Sequence, residues 1–174
     1  MDVIKGNEGE IRATFGEDGE TQQRGVDSSN TLNMAQKATL VMRLAQREQC
    51  VVVMTGREDY VTNGDKVYIV RNGHGYLSEV TGMGCSLGTA ISAAVAVGWG
   101  GRDVVGAVLG AMLHFEIAAE LAAERPEVRG PGTFVPAFLD ELAKIRDASA
   151  RDDFSWEKSA ELSAYIVRQS SELD

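Results

Sequence analysis

The chain has 174 residues, 44% hydrophobic and 25% charged, which is the profile of one globular core and is short for two ordinary domains. Its formal charge of −9 argues against nucleic acid or an anionic membrane surface as partner, while a nucleotide still fits, because a phosphate site needs only local positive potential. Two cysteines, Cys50 and Cys85, are too few for a secreted disulfide scaffold, no signal peptide opens the chain, and the longest apolar stretch, residues 90–97, is too short to span a membrane, so the expectation is a cytoplasmic protein.

Val3 and Ile4 read as the end of a strand, and Lys5-Gly6-Asn7 turns into a short helix from about Glu8 to Phe15. A chain that opens on the last residues of a strand predicts a sheet incomplete at its N-terminal side. Residues 16–30 are polar and rich in Gly, Ser and Asp, a loop composition. Asn30 or Thr31 is the expected cap of the next helix, which runs to about Gln49 with Leu32, Ala35, Ala38, Met42 and Ala45 on its apolar face. The unbroken run Cys50-Val51-Val52-Val53-Met54 has the pattern of a buried parallel strand, ended by Thr55-Gly56. Tyr60-Val61-Thr62 and Val67-Tyr68-Ile69-Val70 flank Asn63-Gly64-Asp65, a hairpin signal in which Asn-Gly supplies positive φ.

Leu77 to Thr81 reads as a further short strand. A helix rich in small residues (Ala90, Ser92, Ala93, Ala94, Ala96) then runs to about Val97, its small side chains permitting close packing. A second apolar helix spans Arg102 to Glu124, and a third, capped by Thr133, ends near Arg146. The tail, residues 149–174, is expected as a marginal amphipathic helix or disordered chain. Helices interleaved with a buried strand predict α/β architecture.

Three places carry chemistry. In Val80-Thr81-Gly82-Met83-Gly84-Cys85 a strand-like segment meets a helix through two glycines. The first turn of a helix leaves N–H groups unpaired at the positive end of its dipole, and glycine lets an anion approach that backbone. Such a turn suits the charge spread over a phosphoryl group in transfer. Cys85, at the helix N-terminus, is placed where the dipole favours an anionic side chain and hence a proton acceptor. The same residues equally describe a tight turn with a buried, inert cysteine. Asn7 and Glu10, three apart at a helix start, offer oxygens that suit Mg²⁺ held through water, or an ordinary capping box. Thr55 ends the buried strand, where α/β folds place ligand-binding groups, or it merely caps a turn. His74 and His114 stand apart from each other and from Cys85, and structural roles are expected for both.

Taken together and in order, Val3-Ile4-Lys5-Gly6-Asn7-Glu8-Gly9-Glu10-Ile11, Arg24-Gly25-Val26-Asp27-Ser28, Val51-Val52-Val53-Met54-Thr55-Gly56-Arg57-Glu58-Asp59-Tyr60-Val61 and Val80-Thr81-Gly82-Met83-Gly84-Cys85 resemble the hydroxyethylthiazole kinase family. Gly130-Pro131-Gly132-Thr133-Phe134 resembles that family's segment before its last helix. The phrasing is similar to the kinase portion of the fungal bifunctional enzymes that also carry a thiamine-phosphate synthase. The resemblance spans roughly residues 2–146, and it implies that residues 1–148 are the C-terminal two-thirds of a kinase domain. It implies a ribokinase-like layered α/β/α fold with a central, mostly parallel sheet, lacking the N-terminal third. It implies ATP-dependent phosphorylation of the hydroxyl of 4-methyl-5-(2-hydroxyethyl)thiazole, with Mg²⁺ as cofactor. By this resemblance Lys5 and Thr55 contact ATP, Asn7 and Glu10 serve Mg²⁺, Gly82 contacts the thiazole, Gly82, Met83, Gly84 and Cys85 form an anion hole, and Cys85 is the catalytic base. A homo-oligomer, trimeric or higher, is implied as well. Met83 departs from the family's Thr or Ser, a change that keeps the backbone N–H groups and bears on substrate fit. The competing expectations are a related kinase for a pyrimidine or pyridoxal alcohol, against which Cys85 in place of Asp argues, and a catalytically incomplete or non-catalytic nucleotide-binding subunit.

Overall fold

A computed structural model describes residues 1–16, 32–98 and 103–167. Where length alone predicts one core, the chain gathers into two compact units, Met1–Ile69 with Leu162–Asp174, and Val70–Glu161.

The first unit is built on a sheet of order β1-β2-β3-β4-β5, with β1 at Val3–Asn7, β2 at Val51–Thr55, β3 at Asp59–Thr62, β4 at Val67–Val70 and β5 at Leu162–Tyr165. β1 and β2 are parallel, and β2 and β3 antiparallel. The sheet is therefore mixed on this side rather than uniformly parallel. β2 is buried on both faces, as its unbroken valine run predicts. Val52, Met54 and Tyr60 join Ile11 of helix α1 (Glu8–Phe15) and Ala38, Val41, Leu44 and Ala45 of helix α2 (Met34–Glu48) in one apolar cluster.

The cap of α2 is Asn33, whose side chain accepts the Gln36 amide at 3.0 Å while Gln36 accepts the Asn33 amide at 2.9 Å. The expected caps, Asn30 and Thr31, lie outside the described residues, as does the loop expected over residues 16–30 beyond Gly16. The buried face of α2 is wider than the predicted stripe: it adds Leu40, Val41 and Leu44, and Ala35 is exposed. Larger side chains win the interior because burial free energy scales with apolar area. The connection from β3 to β4 takes four residues, and only Gly64, at φ +100°, enters the left-handed region. Asn63 instead accepts the Asp65 amide through its side chain at 3.1 Å, a local turn bond that the Asn-Gly pattern also allows.

The second unit is helical: α3 (Tyr76–Glu79), α4 (Met83–Gly98), α5 (Val104–Ala123) and α6 (Pro131–Ser149). Residues 76–79 form a helix and not the expected strand. Gly73 at φ +111° turns the chain after β4, and the Leu77 and Ser78 amides close one-turn bonds on His74 and Gly75. α4 packs through Leu87, Ile91 and Val95, one turn apart, while Ser92, Ala93 and Ala96 are exposed. The small residues therefore do not form its buried seam. α5 lies between α4 and α6 as the central helix, with ten buried residues. By length and composition it is the one helix among the described residues that could cross a membrane, a longer apolar element than residues 90–97. α6 begins at Pro131 after Gly130, so Thr133 sits inside its first turn, where its hydroxyl accepts the Arg129 amide at 2.8 Å. In the tail a short 3₁₀ turn at Ser155–Ser159 and strand β5 replace the expected amphipathic helix.

Asn72 organises one end of the second unit. Its amide donates to both Glu120 oxygens at 3.2 Å and to the Ser159 carbonyl at 2.8 Å, and its oxygen accepts the Glu161 amide at 2.7 Å. The Gly73 amide donates to Glu120 at 2.7 Å. The chain after β4, α5 and the tail are thus tied to one another through two side chains.

Candidate active site

In the first unit the parallel pair β1/β2 brings four of the candidate residues to one place. Asn7 and Thr55 are register partners at the last residue of their strands, and Lys5 pairs with Val53 two steps back. Partners in a parallel pair project to the same face, and residues two apart on a strand share it. Lys5, Asn7 and Thr55 therefore line one face at the C-terminal edge of the pair, the usual position for ligand groups in α/β sheets. Lys5 and Thr55 are half-buried and Asn7 is exposed.

Glu10 joins them through helix α1. The Asn7 side chain accepts the Glu10 amide at 2.9 Å, and Glu10 Oε2 accepts the Asn7 amide at 2.7 Å. This reciprocal pair is a capping box. It engages one oxygen of each side chain and leaves the carboxylate its second oxygen. The donor set, amide and carboxylate oxygen, fits a hard cation that keeps part of its water shell. Among the described residues no group of three or more His, Cys, Asp or Glu converges as a metal cage; Asn7 and Glu10 could hold a cation only through water.

Two positions in this cluster escape sequence reasoning. Gly6 is buried in β1, and a Cβ there would meet Glu10 Cβ at 2.9 Å and Glu10 Oε2 at 3.0 Å. Its carbonyl also accepts the Thr55 hydroxyl at 3.4 Å. Asp59 holds the loop that follows Thr55 by accepting the Gly56 amide at 2.8 Å. The only sequence signal for Gly6 is a glycine inside a strand, which marks a close approach without saying of what.

The Gly82–Cys85 turn belongs to the second unit. Gly82 takes φ +95°, open only to glycine without strain, and nothing stands within 4 Å of where its Cβ would be. Its carbonyl accepts the Ser86 amide at 2.9 Å, the first bond of α4. Met83 donates to the Val80 carbonyl at 3.4 Å, so the amides of Gly84 and Cys85 are the first-turn donors that precede any intrahelical acceptor. Gly82, Gly84 and Cys85 are exposed; the thiol is not the buried, inert cysteine that the turn alone would allow. Met83 is half-buried and forms part of the lining of an apolar trough of about 710 Å³ between α4, α5 and α6. Both histidines have structural contacts: His74 Nδ1 accepts the Tyr76 amide at 3.2 Å, and His114 Nε2 meets the Leu142 carbonyl at 3.0 Å.

These features provide, in one unit, oxygen ligands beside a lysine and a threonine hydroxyl, and in the other a glycine turn with exposed N–H donors and an accessible thiol. Groups of these kinds suit phosphoryl transfer, which depends mainly on positioning and charge stabilisation.

Comparison with known proteins shows the family to which the chain belongs. The family model described as "HK: Hydroxyethylthiazole kinase family" matches residues 1–148. A "Probable thiamine biosynthetic bifunctional enzyme" of Schizosaccharomyces pombe is 38% identical over 167 residues, covering 92% of this chain and 32% of that protein. A hydroxyethylthiazole kinase of Pyrococcus furiosus is 42% identical over 140 residues, covering 80% of this chain and 49% of the relative. Among solved structures, the hydroxyethylthiazole kinase protein of Pyrococcus horikoshii superposes with a TM-score of 0.74 at 32% identity, covering 95% of this chain and 56% of that one. The chain thus spans about half the length of the two archaeal kinases and about a third of the bifunctional protein.

Proposed function

Because this chain belongs to the hydroxyethylthiazole kinase family, we propose that it carries the catalytic and nucleotide-binding part of an ATP-dependent kinase for 4-methyl-5-(2-hydroxyethyl)thiazole. The observation that carries the reading is the register match of Asn7 with Thr55 at the strand ends, with Glu10 bonded to the Asn7 amide beside them. In this reading Lys5 and the Thr55 hydroxyl contact the ATP phosphates. Asn7 and Glu10 hold Mg²⁺ through water; when bound, the ion neutralises phosphate charge and orients the γ-phosphoryl group. The Gly84 and Cys85 amides, with the turn at Gly82 and Met83, receive the transferring phosphoryl oxygens. Cys85 accepts the proton of the substrate hydroxyl as the hydroxyl oxygen attacks the γ-phosphorus and the bond to the ADP oxygen breaks, and Gly82 leaves room for the thiazole. The remaining expectations of the resemblance, a homo-oligomer and a cytoplasmic location, belong to the same proposal.

The test is ATP-dependent phosphorylation of hydroxyethylthiazole by the purified chain with Mg²⁺. Formation of thiazole phosphate is the expected result. ATP binding without product, from a folded chain, overturns the catalytic reading of this chain.

A further inference from the structure

Gly6 touches both halves of the strand-end cluster. Any side chain there would strike the Cβ and the carboxylate of Glu10, at 2.9 and 3.0 Å. Cβ atoms do not approach atoms this closely, so either Glu10 or the backbone of β1 would have to move. Glu10 Cβ cannot swing aside as the tip of a long side chain can, because it is fixed to the α1 backbone. On its other side the Gly6 carbonyl accepts Thr55 Oγ1, and its register partner Met54 is buried in the sheet core. The next glycine, Gly9, makes an instructive contrast. A Cβ there would lie 3.4 Å from Asn7 Oδ1, an ordinary contact, with nothing else near.

We infer that Gly6 is a positioning residue for the nucleotide site: the missing side chain is what allows the Glu10 carboxylate to fold back onto β1, where it receives the Asn7 amide and faces the cation. This deepens the kinase reading above and rests on it for its functional half. Its structural half stands alone. Outer residues that orient a cation's ligands typically set affinity by factors of about 10 to 100, and Gly6 acts on Glu10 in that manner without contacting ATP or substrate.

The experiment compares Gly6→Ala with Gly9→Ala in the full chain, reading Asn7 amide hydrogen exchange, thermal midpoint, and the Mg²⁺ concentration for half-maximal ATP binding. The expected result is faster Asn7 exchange and a Mg²⁺ requirement raised about tenfold in Gly6→Ala, with neither changed in Gly9→Ala. In a Glu10→Gln background the Gly6 substitution should no longer shift the Mg²⁺ requirement, which a general loosening of β1 would not explain. Unchanged Asn7 exchange in a folded Gly6→Ala chain overturns the inference. If Gly6→Ala fails to fold, Glu10→Gly removes the atoms struck. Recovery of the fold in that double variant supports the contact, and continued failure overturns it. A wild-type chain that binds no ATP sinks the kinase reading, while the exchange measurement still decides the role of Gly6.

Discussion

Asn7 and Thr55 face one another across β1 and β2 at the final register step of a parallel pair. Asn7 caps helix α1 by accepting the Glu10 amide, and the Thr55 hydroxyl donates to the Gly6 carbonyl, so the two strand ends are tied together. Asn7 combines two tasks, and substitutions can separate them. Asn7→Ala should cost about 1 kcal/mol through loss of the helix cap and also weaken ATP binding. Asn7→Ser should keep most of the cap, since a hydroxyl can accept the Glu10 amide, yet lose the amide oxygen that the kinase reading assigns to the cation. Chemical denaturation together with ATP titration distinguishes the two. A serine variant that matches wild type in both would confine Asn7 to capping.

Glu10→Gln preserves the shape of the capping box, because an amide oxygen can accept the Asn7 N–H as the carboxylate does. Stability should therefore stay within about 0.5 kcal/mol. The Mg²⁺ requirement for ATP binding should rise, since a neutral oxygen attracts a divalent cation less. If Mg²⁺ titrations of the two proteins superimpose, Glu10 is a cap and nothing more.

Cys85 is exposed in the first turn of α4, so its replacement leaves no core cavity. Cys85→Ala should unfold at the wild-type temperature and bind ATP with near wild-type affinity, while turnover drops by about 100-fold or more, the usual contribution of a positioned base. Cys85→Asp should retain activity, as a carboxylate can take the same proton. Steady-state rates on the three proteins decide the matter: an alanine variant as fast as wild type leaves the backbone N–H groups as the whole of the site, and a folded but dead aspartate variant argues against the base.

Much of this arrangement is legible in the sequence because its signals are local. The valine run of β2, the Asn7-x-x-Glu10 cap and the glycine turn before Cys85 each depend on neighbours within a few residues. What escapes depends on distant ones. Gly6 is meaningful only once Glu10 has folded back over it, and Asn72 only once α5 and the tail have come together. Residues 76–79 were ambiguous because four residues without strong periodicity fit a helical turn as well as a strand. The small residues of α4 point away from its buried seam because Leu87, Ile91 and Val95 on the opposite ridge bury more apolar surface.

Asn72 makes four hydrogen bonds to groups from two separate segments. Asn72→Ala leaves the Glu161 amide and the Glu120 carboxylate without that partner, and should cost about 1–3 kcal/mol. Asn72→Asp keeps the acceptor for the Glu161 amide but sets a second carboxylate against Glu120, so it should be at least as damaging. Urea midpoints provide the measurement. An alanine variant as stable as wild type would mean that water replaces the entire network.

The two thiols should differ in reactivity, because one is buried and the other exposed. Cys50 is buried at the start of β2, and burial, followed by the neighbouring Glu48 charge, raises its pKa above the ordinary thiol value. A raised folded pKa means that the native state keeps the proton. The stabilisation associated with this thiol is complete below the ordinary thiol pKa and is lost as pH rises through the higher folded value. Cys50 should therefore resist alkylation by iodoacetamide at neutral pH, while exposed Cys85 reacts. Mass spectrometry after timed labelling counts the adducts and locates them. One adduct, on Cys85, is expected in the native protein, and a second should appear only on unfolding or at strongly alkaline pH. Because the kinase reading brings the transferring phosphoryl group to Cys85, ATP with the thiazole alcohol should slow its labelling and leave Cys50 unaffected. Equal labelling of Cys85 with and without both ligands would separate the thiol from the site.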